Sequence, residues 1–204
     1  NRFIGTAIKK GAKIIVSEKK RKQEKNITCI YHANVRKLLS EVSYRIFRKR
    51  PKKLIAVTGT NGKSSVADFY YQILKTNKKR VASIGTIGVK YQNIKEKISK
   101  TTLDPINLGA ILEKLNKKKI DHIIMEASSH GLKQNRLDGL LFDIGIFTNL
   151  SHDHLDYHKN MKSYLKSKLY LFEKLVKKRG NIITDGNIPQ TKQIKKISKK
   201  KRIN

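Results

Sequence analysis

The chain has 204 residues, enough for one complete domain and part of another, and its formal net charge is +32. It contains no apolar run of 18 or more residues and no signal-type segment, so a membrane span is not expected, and its single cysteine, Cys29, fits a reducing cytoplasm. Lysines are spread over the whole chain, and aromatic residues make up 7% without basic–aromatic interleaving, so we attribute the charge to a lysine-rich composition and expect no nucleic-acid partner.

The first 50 residues predict a small α/β piece that Pro51 ends. Apolar residues recur at helical spacing over 35–47, and short apolar runs bounded by polar residues predict strands. Gly11 is placed to end the first helix. The predicted elements are a helix over 3–10, a strand over 13–17, a basic loop over 18–26, a strand over 27–31 and a helix over 35–47.

From residue 53 onward, apolar strands alternate with amphipathic helices, which predicts an α/β fold with a mostly parallel sheet and helices on both faces. The predicted strands span 54–57, 81–84, 122–125, 144–147 and 181–184. The predicted helices span 65–74, 106–115 and 161–176. The tail over 192–204 shows no reliable apolar periodicity and is expected to be loose.

A phosphate-binding loop connects the first of these strands to the first of these helices. Gly59 and Gly62 allow backbone N–H groups to turn toward phosphate oxygens, and the helix N-terminus adds partial positive charge. Lys63 can reach the β- and γ-phosphates, and the Ser64 hydroxyl can bind Mg²⁺. The loop is a short variant, because Val57 stands where the usual pattern has its first glycine. An incidental glycine turn is the alternative, which the strand–loop–helix context disfavours.

Two later strands end in polar clusters, where ligands of a parallel sheet collect. Glu126 follows the 122–125 strand and suits Mg²⁺ on nucleotide phosphates, although a solvated carboxylate would be the ordinary interpretation of a lone glutamate. Three histidines and two aspartates follow the next strand over 148–158. Their spacing also allows zinc, but no cysteine accompanies them and the phosphate loop already predicts Mg²⁺.

Lys168 lies between apolar positions 165 and 172 of a predicted helix, so it falls on or beside the inward face. Burial would lower its pKa, and a neutral amine can react with CO₂ to give a carbamate, an anionic metal ligand. A lysine that extends its ammonium group to solvent is the alternative.

Residues 58–65, 125–132 and 148–158 together resemble the motifs of the Mur ligases, most closely of the members that add the third amino acid. The resemblance implies that 1–50 are the end of an N-terminal UDP-sugar-binding domain and that 51–204 begin the central ATP-binding domain. The start of the first domain and the C-terminal amino-acid-binding domain are not in the sequence, so we expect a fragment that does not complete ligation alone.

The resemblance implies an ATP- and Mg²⁺-dependent reaction in peptidoglycan precursor synthesis. ATP phosphorylates the D-Glu carboxylate of UDP-MurNAc-L-Ala-D-Glu, and the amine of a diamino acid, meso-diaminopimelate or L-lysine, attacks the acyl phosphate. The enzyme would act in the cytoplasm as a monomer, without nucleic-acid or membrane partners.

The resemblance also implies roles for individual residues. Catalytic roles fall to Lys63, His154 and Lys168, the last as a carbamate, which follows a matching Tyr164. The ATP-binding residues would be Gly59, Thr60, Asn61, Gly62, Lys63, Ser64 and Ser65. The Mg²⁺ ligands would be Ser64, Glu126, His154 and Lys168. The contacts to the UDP-MurNAc-dipeptide would be Thr101, Thr102, Ser128, Gln134 and Arg136, whereas Lys100 stands where the family usually has asparagine.

Three other interpretations remain open. A folylpolyglutamate synthase-like ligase shares the chemistry, but residues 128–132 and the Thr101–Thr102 pair argue against it. A basic, nucleic-acid-binding NTPase would show strongly salt-dependent binding. A non-catalytic remnant of a ligase is disfavoured because no motif residue that can be checked over 58–65, 125–132 and 148–158 is lost.

Overall fold

The computed structural model describes residues 3–22 and 26–203. The described residues do not include 1–2, 23–25 and 204. The ends of the predicted domains, part of the predicted 18–26 loop and the end of the predicted tail therefore lie outside the described residues. No helix in the described ranges has the length and apolar character needed to cross a bilayer.

The N-terminal piece contains two helices and two strands in the described residues. They are α1 (Ile4–Lys9), β1 (Ile14–Ser17), β2 (Thr28–Tyr31) and α2 (Val35–Ile46). The strands pair in parallel, with Ile14 opposite Thr28. Asn34 caps α2, because its side chain accepts a hydrogen bond of 2.9 Å from the N–H of Lys37. The four predicted elements are confirmed, with ends that differ by one residue.

The larger sheet has seven strands within the described residues. They are β3 (Lys53–Thr58), β4 (Val81–Gly85), β5 (Gly88–Tyr91), β6 (Ile94–Glu96), β7 (His122–Glu126), β8 (Phe142–Phe147) and β9 (Val176–Thr184). Their order is β6-β5-β4-β7-β3-β8-β9. The five strands β4, β7, β3, β8 and β9 are parallel, and β5 and β6 add an antiparallel edge. The predicted mostly parallel sheet is therefore confirmed.

Helices cover both faces of this sheet. They are α3 (Lys63–Thr76), α4 (Pro105–Lys117), α5 (Ser129–Lys133), α6 (Leu155–His158), α7 (Met161–Tyr170) and α8 (Thr191–Lys201). Because side chains alternate along a strand, β3 contributes Leu54 and Ala56 to one apolar core. Its Ile55 and Val57 join the core on the opposite face, where Ala67 of α3 packs. The carboxyl ends of β3, β7 and β8 therefore meet at one edge, between helices of both layers.

Helix α2 packs against α4, and this contact joins the N-terminal piece to the larger sheet. A Cβ atom at Gly109 would lie 2.6 Å from the ring of Phe47, so the missing side chain makes room for that ring. Tyr44 of α2 is 1% exposed and joins the main core. The domain boundary at residue 50 stays a prediction.

Three local predictions differ from the structure. The antiparallel β5–β6 hairpin was not predicted, because its strands are short and only Gly88, Val89 and Tyr91 of these strands are buried. The helix predicted over 161–176 ends earlier, since a π-helical turn over Leu171–Leu175 follows α7 and Val176 already pairs with Phe142 of β8. The strand predicted over 181–184 begins earlier, at Val176. Residues 177–179 are basic and have no apolar pattern, and they become part of the strand because β9 pairs with β8.

The expectation of a loose tail over 192–204 is wrong for its described part, which contains α8. Ile194 and Ile203 are 2% and 5% exposed, and both join the main core. The Nζ of Lys201 donates hydrogen bonds to the carbonyl oxygens of Phe172, at 3.3 Å, and Val176, at 2.9 Å. Lysines on the other face of this helix obscured its apolar positions in the sequence.

Candidate functional site

The phosphate loop lies between β3 and α3 with a backbone that requires glycine. Gly59 has φ +149° and Gly62 has φ +79°. A Cβ atom at Gly59 would lie 1.9 Å from Thr148 Oγ1, so this position has no room for a side chain. Helix α3 starts at Lys63, directly after Gly62, and its N-terminal N–H groups face the loop. The structure thus places the predicted loop at a helix N-terminus, where anions are stabilised.

The side chain of Lys63 folds back over this loop. Its Nζ donates hydrogen bonds to the carbonyl oxygens of Gly59 at 3.1 Å and Thr60 at 2.6 Å. Burial lowers the pKa of Lys63, and the carboxylates of Glu126 and Asp153 oppose that shift. The Lys63 ammonium group therefore lies against the phosphate loop, whose N–H groups would donate hydrogen bonds to phosphate oxygens.

The segment after β8 braces the loop through several polar contacts. The N–H of Thr60 donates to the carbonyl oxygen of Asn149 at 3.0 Å, and the N–H of Asn61 donates to Asn149 Oδ1 at 2.9 Å. Thr148 Oγ1 donates to the Asn61 carbonyl at 2.6 Å. Sequence reasoning placed Thr148 and Asn149 in a polar cluster but missed this supporting role, which depends on β3 and β8 being neighbours.

Glu126 lies at the end of β7 and is 2% exposed. Its Oε1 accepts hydrogen bonds from Ser64 Oγ at 2.9 Å and from the N–H of Thr86 at 2.8 Å. Gly85 allows this approach, because a Cβ atom there would lie 2.1 Å from Oε1. Thr86 was missed by sequence reasoning. Its Oγ1 also lies 3.0 Å from Thr101 Oγ1, so it connects Glu126 to the predicted substrate pair.

Lys168 is 1% exposed, which confirms the inward position that helical spacing predicted. Its Nζ donates a hydrogen bond of 2.5 Å to the Gly59 carbonyl and lies 4.2 Å from the centre of the Tyr164 ring. Burial, reinforced by the nearby Lys63 ammonium and opposed by Asp153, lowers the pKa of Lys168 to about 7. A substantial fraction of the amine is therefore neutral near pH 7.

The three histidines of the 148–158 cluster have different positions. His154 lines the same cavity as the loop, has left-handed backbone (φ +51°), and holds Nε2 3.4 Å from Asp153 Oδ2. His152 is exposed. His158 is 1% exposed, and its Nε2 lies 3.0 Å from Ser129 Oγ. Burial, reinforced by nearby cations, lowers the pKa of His158 to about 4, so it is neutral at pH 7.

Twelve of the fifteen predicted site residues line one cavity of about 400 Å³. It is lined by the predicted residues Gly59, Thr60, Asn61, Gly62, Lys63, Ser64, Ser65, Thr101, Glu126, Ser128, His154 and Lys168, together with Thr86, Ser129 and Tyr164. Thr102, Gln134 and Arg136 are absent from this lining. Lys100 is exposed and does not line the cavity either.

A hydrogen-bond network joins the remaining predicted substrate residues to the cavity wall. Thr102 Oγ1 donates to the Glu126 carbonyl at 2.9 Å and accepts from the N–H of Ser128 at 2.9 Å. Arg136 Nη1 donates to the Thr102 carbonyl at 2.5 Å. Arg136 Nη2 donates to Gln134 Oε1 at 2.6 Å. These hydrogen bonds connect Thr102, Gln134 and Arg136 to Glu126 and Ser128, which line the cavity.

The oxygen atoms at this site fit Mg²⁺ better than zinc. A hydroxyl and a buried carboxylate meet at Ser64 and Glu126, and Mg²⁺ in nucleotide sites is commonly held by one or two carboxylates together with phosphate oxygens. Among the described residues, no group of three or more His, Cys, Asp or Glu side chains is arranged to hold a metal ion. An ion here would need additional oxygens, which nucleotide phosphates provide.

The chain is similar to known proteins in both sequence and fold. Residues 57–204 match the family described as Mur ligase middle domain. A relative from Rickettsia bellii (strain RML369-C), named UDP-N-acetylmuramoyl-L-alanyl-D-glutamate–2,6-diaminopimelate ligase, is 40% identical over 207 residues, covering 100% of this chain and 43% of the relative. A solved structure with that ligase name superposes with a TM-score of 0.82 at 28% identity, over 98% of this chain and 40% of that one.

A more distant solved structure supports the fold alone. The MurF ligase from Thermotoga maritima in complex with ADP has a TM-score of 0.59 at 18% identity, over 96% of this chain and 42% of that one. The chain spans less than half the length of each of these relatives. Since the family match extends over most of its residues, the chain belongs to the Mur ligase family.

Proposed function

We propose that this chain supplies the ATP-binding part of a ligase that joins 2,6-diaminopimelate to UDP-MurNAc-L-Ala-D-Glu in peptidoglycan precursor synthesis. The observation that carries the proposal is the meeting of Ser64 Oγ and Glu126 Oε1, 2.9 Å apart, in the cavity of the phosphate loop. The name of the Rickettsia bellii relative supports this choice of diamino acid over L-lysine.

The proposed reaction has two steps. The D-Glu carboxylate attacks the γ-phosphorus of ATP, which forms an acyl phosphate and releases ADP. The amine of the diamino acid then attacks the acyl carbon, an amide bond forms, and phosphate and a proton are released. Both reactants of the first step are anions, so positive charge at the site is the main requirement.

The phosphate loop would meet part of this requirement. Residues Gly59–Ser65 would hold the phosphates, chiefly through the backbone N–H groups that do not donate to Asn149, and the Lys63 ammonium would contact the β- and γ-phosphates. Because Lys63 is already bonded to the Gly59 and Thr60 carbonyls, little rearrangement of its side chain is needed when phosphate arrives.

Ser64, Glu126, His154 and a carbamylated Lys168 would hold Mg²⁺. When bound, the ion would neutralise phosphate charge next to the incoming carboxylate. Carbamylation joins the neutral Lys168 amine to CO₂ with loss of one proton, and the lowered pKa of Lys168 supplies that amine near pH 7. The carbamate would replace a cation behind the loop with an anion, which favours a metal ion there.

Thr101, Thr102, Ser128, Gln134 and Arg136 would contact the UDP-MurNAc-dipeptide. Hydrogen bonds from Arg136 to the Thr102 carbonyl and from the Thr102 hydroxyl to the Glu126 carbonyl support this role, because the D-Glu carboxylate must meet ATP near Glu126. In this proposal the enzyme works in the cytoplasm as a monomer, with neither nucleic acid nor membrane as a partner.

Calorimetric titration of the chain tests the proposal. Mg²⁺-ATP and UDP-MurNAc-L-Ala-D-Glu should both bind, and Lys63→Ala should weaken nucleotide binding by about tenfold or more, since a charge-assisted contact contributes roughly 1.5–3 kcal/mol. Lys75→Ala, at the far end of α3, is the matched control and should leave the affinity unchanged. Binding of dihydrofolate instead of the UDP-sugar would favour a folylpolyglutamate synthase-like ligase, and salt-sensitive DNA binding would favour the NTPase alternative.

A further inference from the structure

The predicted substrate residues and the predicted metal ligand His154 are connected by a continuous chain of side-chain contacts. The chain runs from Arg136 through Gln134, Tyr157 and His130 to His154. Tyr157 and His130, which we name the aromatic link, were given no role by the sequence. They lie on α6 and α5, two short helices that follow β8 and β7.

The first half of the chain begins at the Arg136 guanidinium. Its Nε and Nη2 both donate to Gln134 Oε1, at 3.1 and 2.6 Å, while Gln134 Nε2 lies 3.1 Å from the hydroxyl oxygen of Tyr157. An anionic group of a ligand that pairs with Arg136 would compete with Gln134 for the same N–H groups. The amide of Gln134 would then shift, and with it the hydrogen bond that holds Tyr157.

The second half transmits the position of Tyr157 to His154. The Tyr157 ring stacks on His130, with ring centres 4.1 Å apart and an interplanar angle of 30°. The His130 ring then meets His154 edge to face, with centres 4.9 Å apart at 85°. The His154 side chain is half exposed, and the His130 ring is the nearest aromatic ring in contact with it, so a shift of His130 would change the orientation available to His154.

We propose that Tyr157 and His130 are positioning residues that couple occupation of the UDP-sugar-dipeptide subsite to the orientation of His154. This inference rests on the proposed function, because it assumes that Arg136 contacts that ligand and that His154 binds the metal. Binding of the UDP-sugar-dipeptide would move Tyr157 and His130 into one arrangement, in which His154 is oriented for the metal ion.

Thermodynamic coupling tests this inference. The affinity for Mg²⁺-AMP-PNP is measured with and without saturating UDP-MurNAc-L-Ala-D-Glu, and the reverse titration must give the same factor. In the parent chain the UDP-sugar-dipeptide should tighten nucleotide binding by about fivefold or more, the lower end of usual coupling between sites. Tyr157→Phe removes the contact with Gln134 but keeps the ring, and it should reduce the factor to less than about twofold.

Two further variants make the result specific. His130→Leu removes the aromatic contacts on both sides and should abolish the coupling as well, without loss of either single-ligand affinity beyond about threefold. Tyr70→Phe is the matched control, because its hydroxyl lies 3.3 Å from His122 Nδ1 at the opposite end of β7, and it should retain the full factor. Thermal melting verifies that each variant folds.

The outcomes separate the two proposals. If the parent chain does not bind Mg²⁺-AMP-PNP, the proposed function fails and this inference fails with it. If it binds Mg²⁺-AMP-PNP but not the UDP-sugar-dipeptide, the ATP-binding role stands and this inference is overturned. If it binds both, but coupling is absent or survives in both Tyr157→Phe and His130→Leu, only the aromatic link is overturned. A lowered melting temperature with unchanged coupling would show a purely structural role, which also overturns the inference.

Discussion

The Nζ atom of Lys168 lies 2.5 Å from the carbonyl oxygen of Gly59, which joins α7 directly to the phosphate loop. The two residues are 109 positions apart in the sequence. This bond places an amine of lowered pKa beneath the loop, with the Tyr164 ring on its other side. Burial of a lysine amine costs free energy unless the amine has a hydrogen-bond partner, and here the partner is a backbone carbonyl of the candidate site.

The charge state of Lys168 should make stability depend on pH. Its folded-state pKa is about 7 and the ordinary value is 10.5, so between these values the unfolded chain binds more protons than the folded chain. The free energy of unfolding therefore increases as pH rises from 7 toward 10.5. Below pH 7 the folded protein bears the full cost of burying the Lys168 ammonium group. Urea denaturation should show that Lys168→Met gains stability relative to the parent at pH 6.5 and loses that advantage at pH 9.5.

This measurement needs buffers free of CO₂, because a carbamate would remove the titrating amine. Lys166→Met, at an exposed position of the same helix, is the control and should change stability equally at both pH values. A Lys168→Met difference that does not vary with pH would contradict a lowered pKa at Lys168.

Lys168 should form a carbamate when CO₂ is present. With ¹³C-labelled bicarbonate at pH 8, one additional carbonyl resonance should appear in the ¹³C spectrum of the chain, and Mg²⁺-ADP should increase its intensity. Lys168→Arg should remove the signal, because a guanidinium remains protonated and does not react. A signal that persists in Lys168→Arg but disappears in Lys63→Arg would show that the carbamate forms on Lys63 and would contradict this prediction.

Glu126→Gln should weaken metal-dependent nucleotide binding selectively. The substitution keeps the size of the side chain but removes the charge, and its NH₂ group would face the Ser64 hydroxyl and the Thr86 N–H, which are donors. We expect the affinity for Mg²⁺-ADP to fall about tenfold or more, which corresponds to loss of a charged contact of roughly 1.5–3 kcal/mol, whereas affinity for ADP in EDTA stays within about twofold.

Glu113→Gln on α4 provides the comparison for Glu126, since Glu113 pairs with Lys117 away from the cavity. Equal losses with Mg²⁺ and with EDTA in Glu126→Gln would argue that Glu126 only supports the loop and does not bind the metal.

Gly59→Ala should destabilise the fold and disrupt the phosphate loop. The new Cβ would lie 1.9 Å from Thr148 Oγ1, and the backbone angle of +149° is unfavourable for alanine. The strain costs about 1–3 kcal/mol, and the displaced Thr148 would also lose its bond to Asn61. Thermal and urea denaturation measure the loss, and calorimetry measures the nucleotide affinity.

Gly186→Ala is the matched control for this substitution, because a Cβ there meets no atom within 4 Å. It should leave stability within about 0.5 kcal/mol of the parent. If Gly59→Ala lowers the free energy of unfolding no more than Gly186→Ala does, the phosphate loop does not approach Thr148 this closely in solution.

The sequence by itself determined the alternation of strands and helices, the phosphate loop and the inward position of Lys168. These features follow from local patterns: glycines directly between an apolar strand and a helix, and apolar residues at helical spacing on either side of Lys168. Glu126 and His154 could be placed near the loop because the carboxyl ends of parallel strands meet at one edge of a sheet.

Only the tertiary structure decided which side chains complete the site. Thr86 and Thr148 lie far from Glu126 and Asn61 in sequence, and they meet them because the strand order places β4 beside β7 and β8 beside β3. The tail is a further example, since Ile194 stabilises α8 only by packing into the core of the large sheet. A local pattern cannot show such contacts, because their free energy comes from burial between segments distant in sequence.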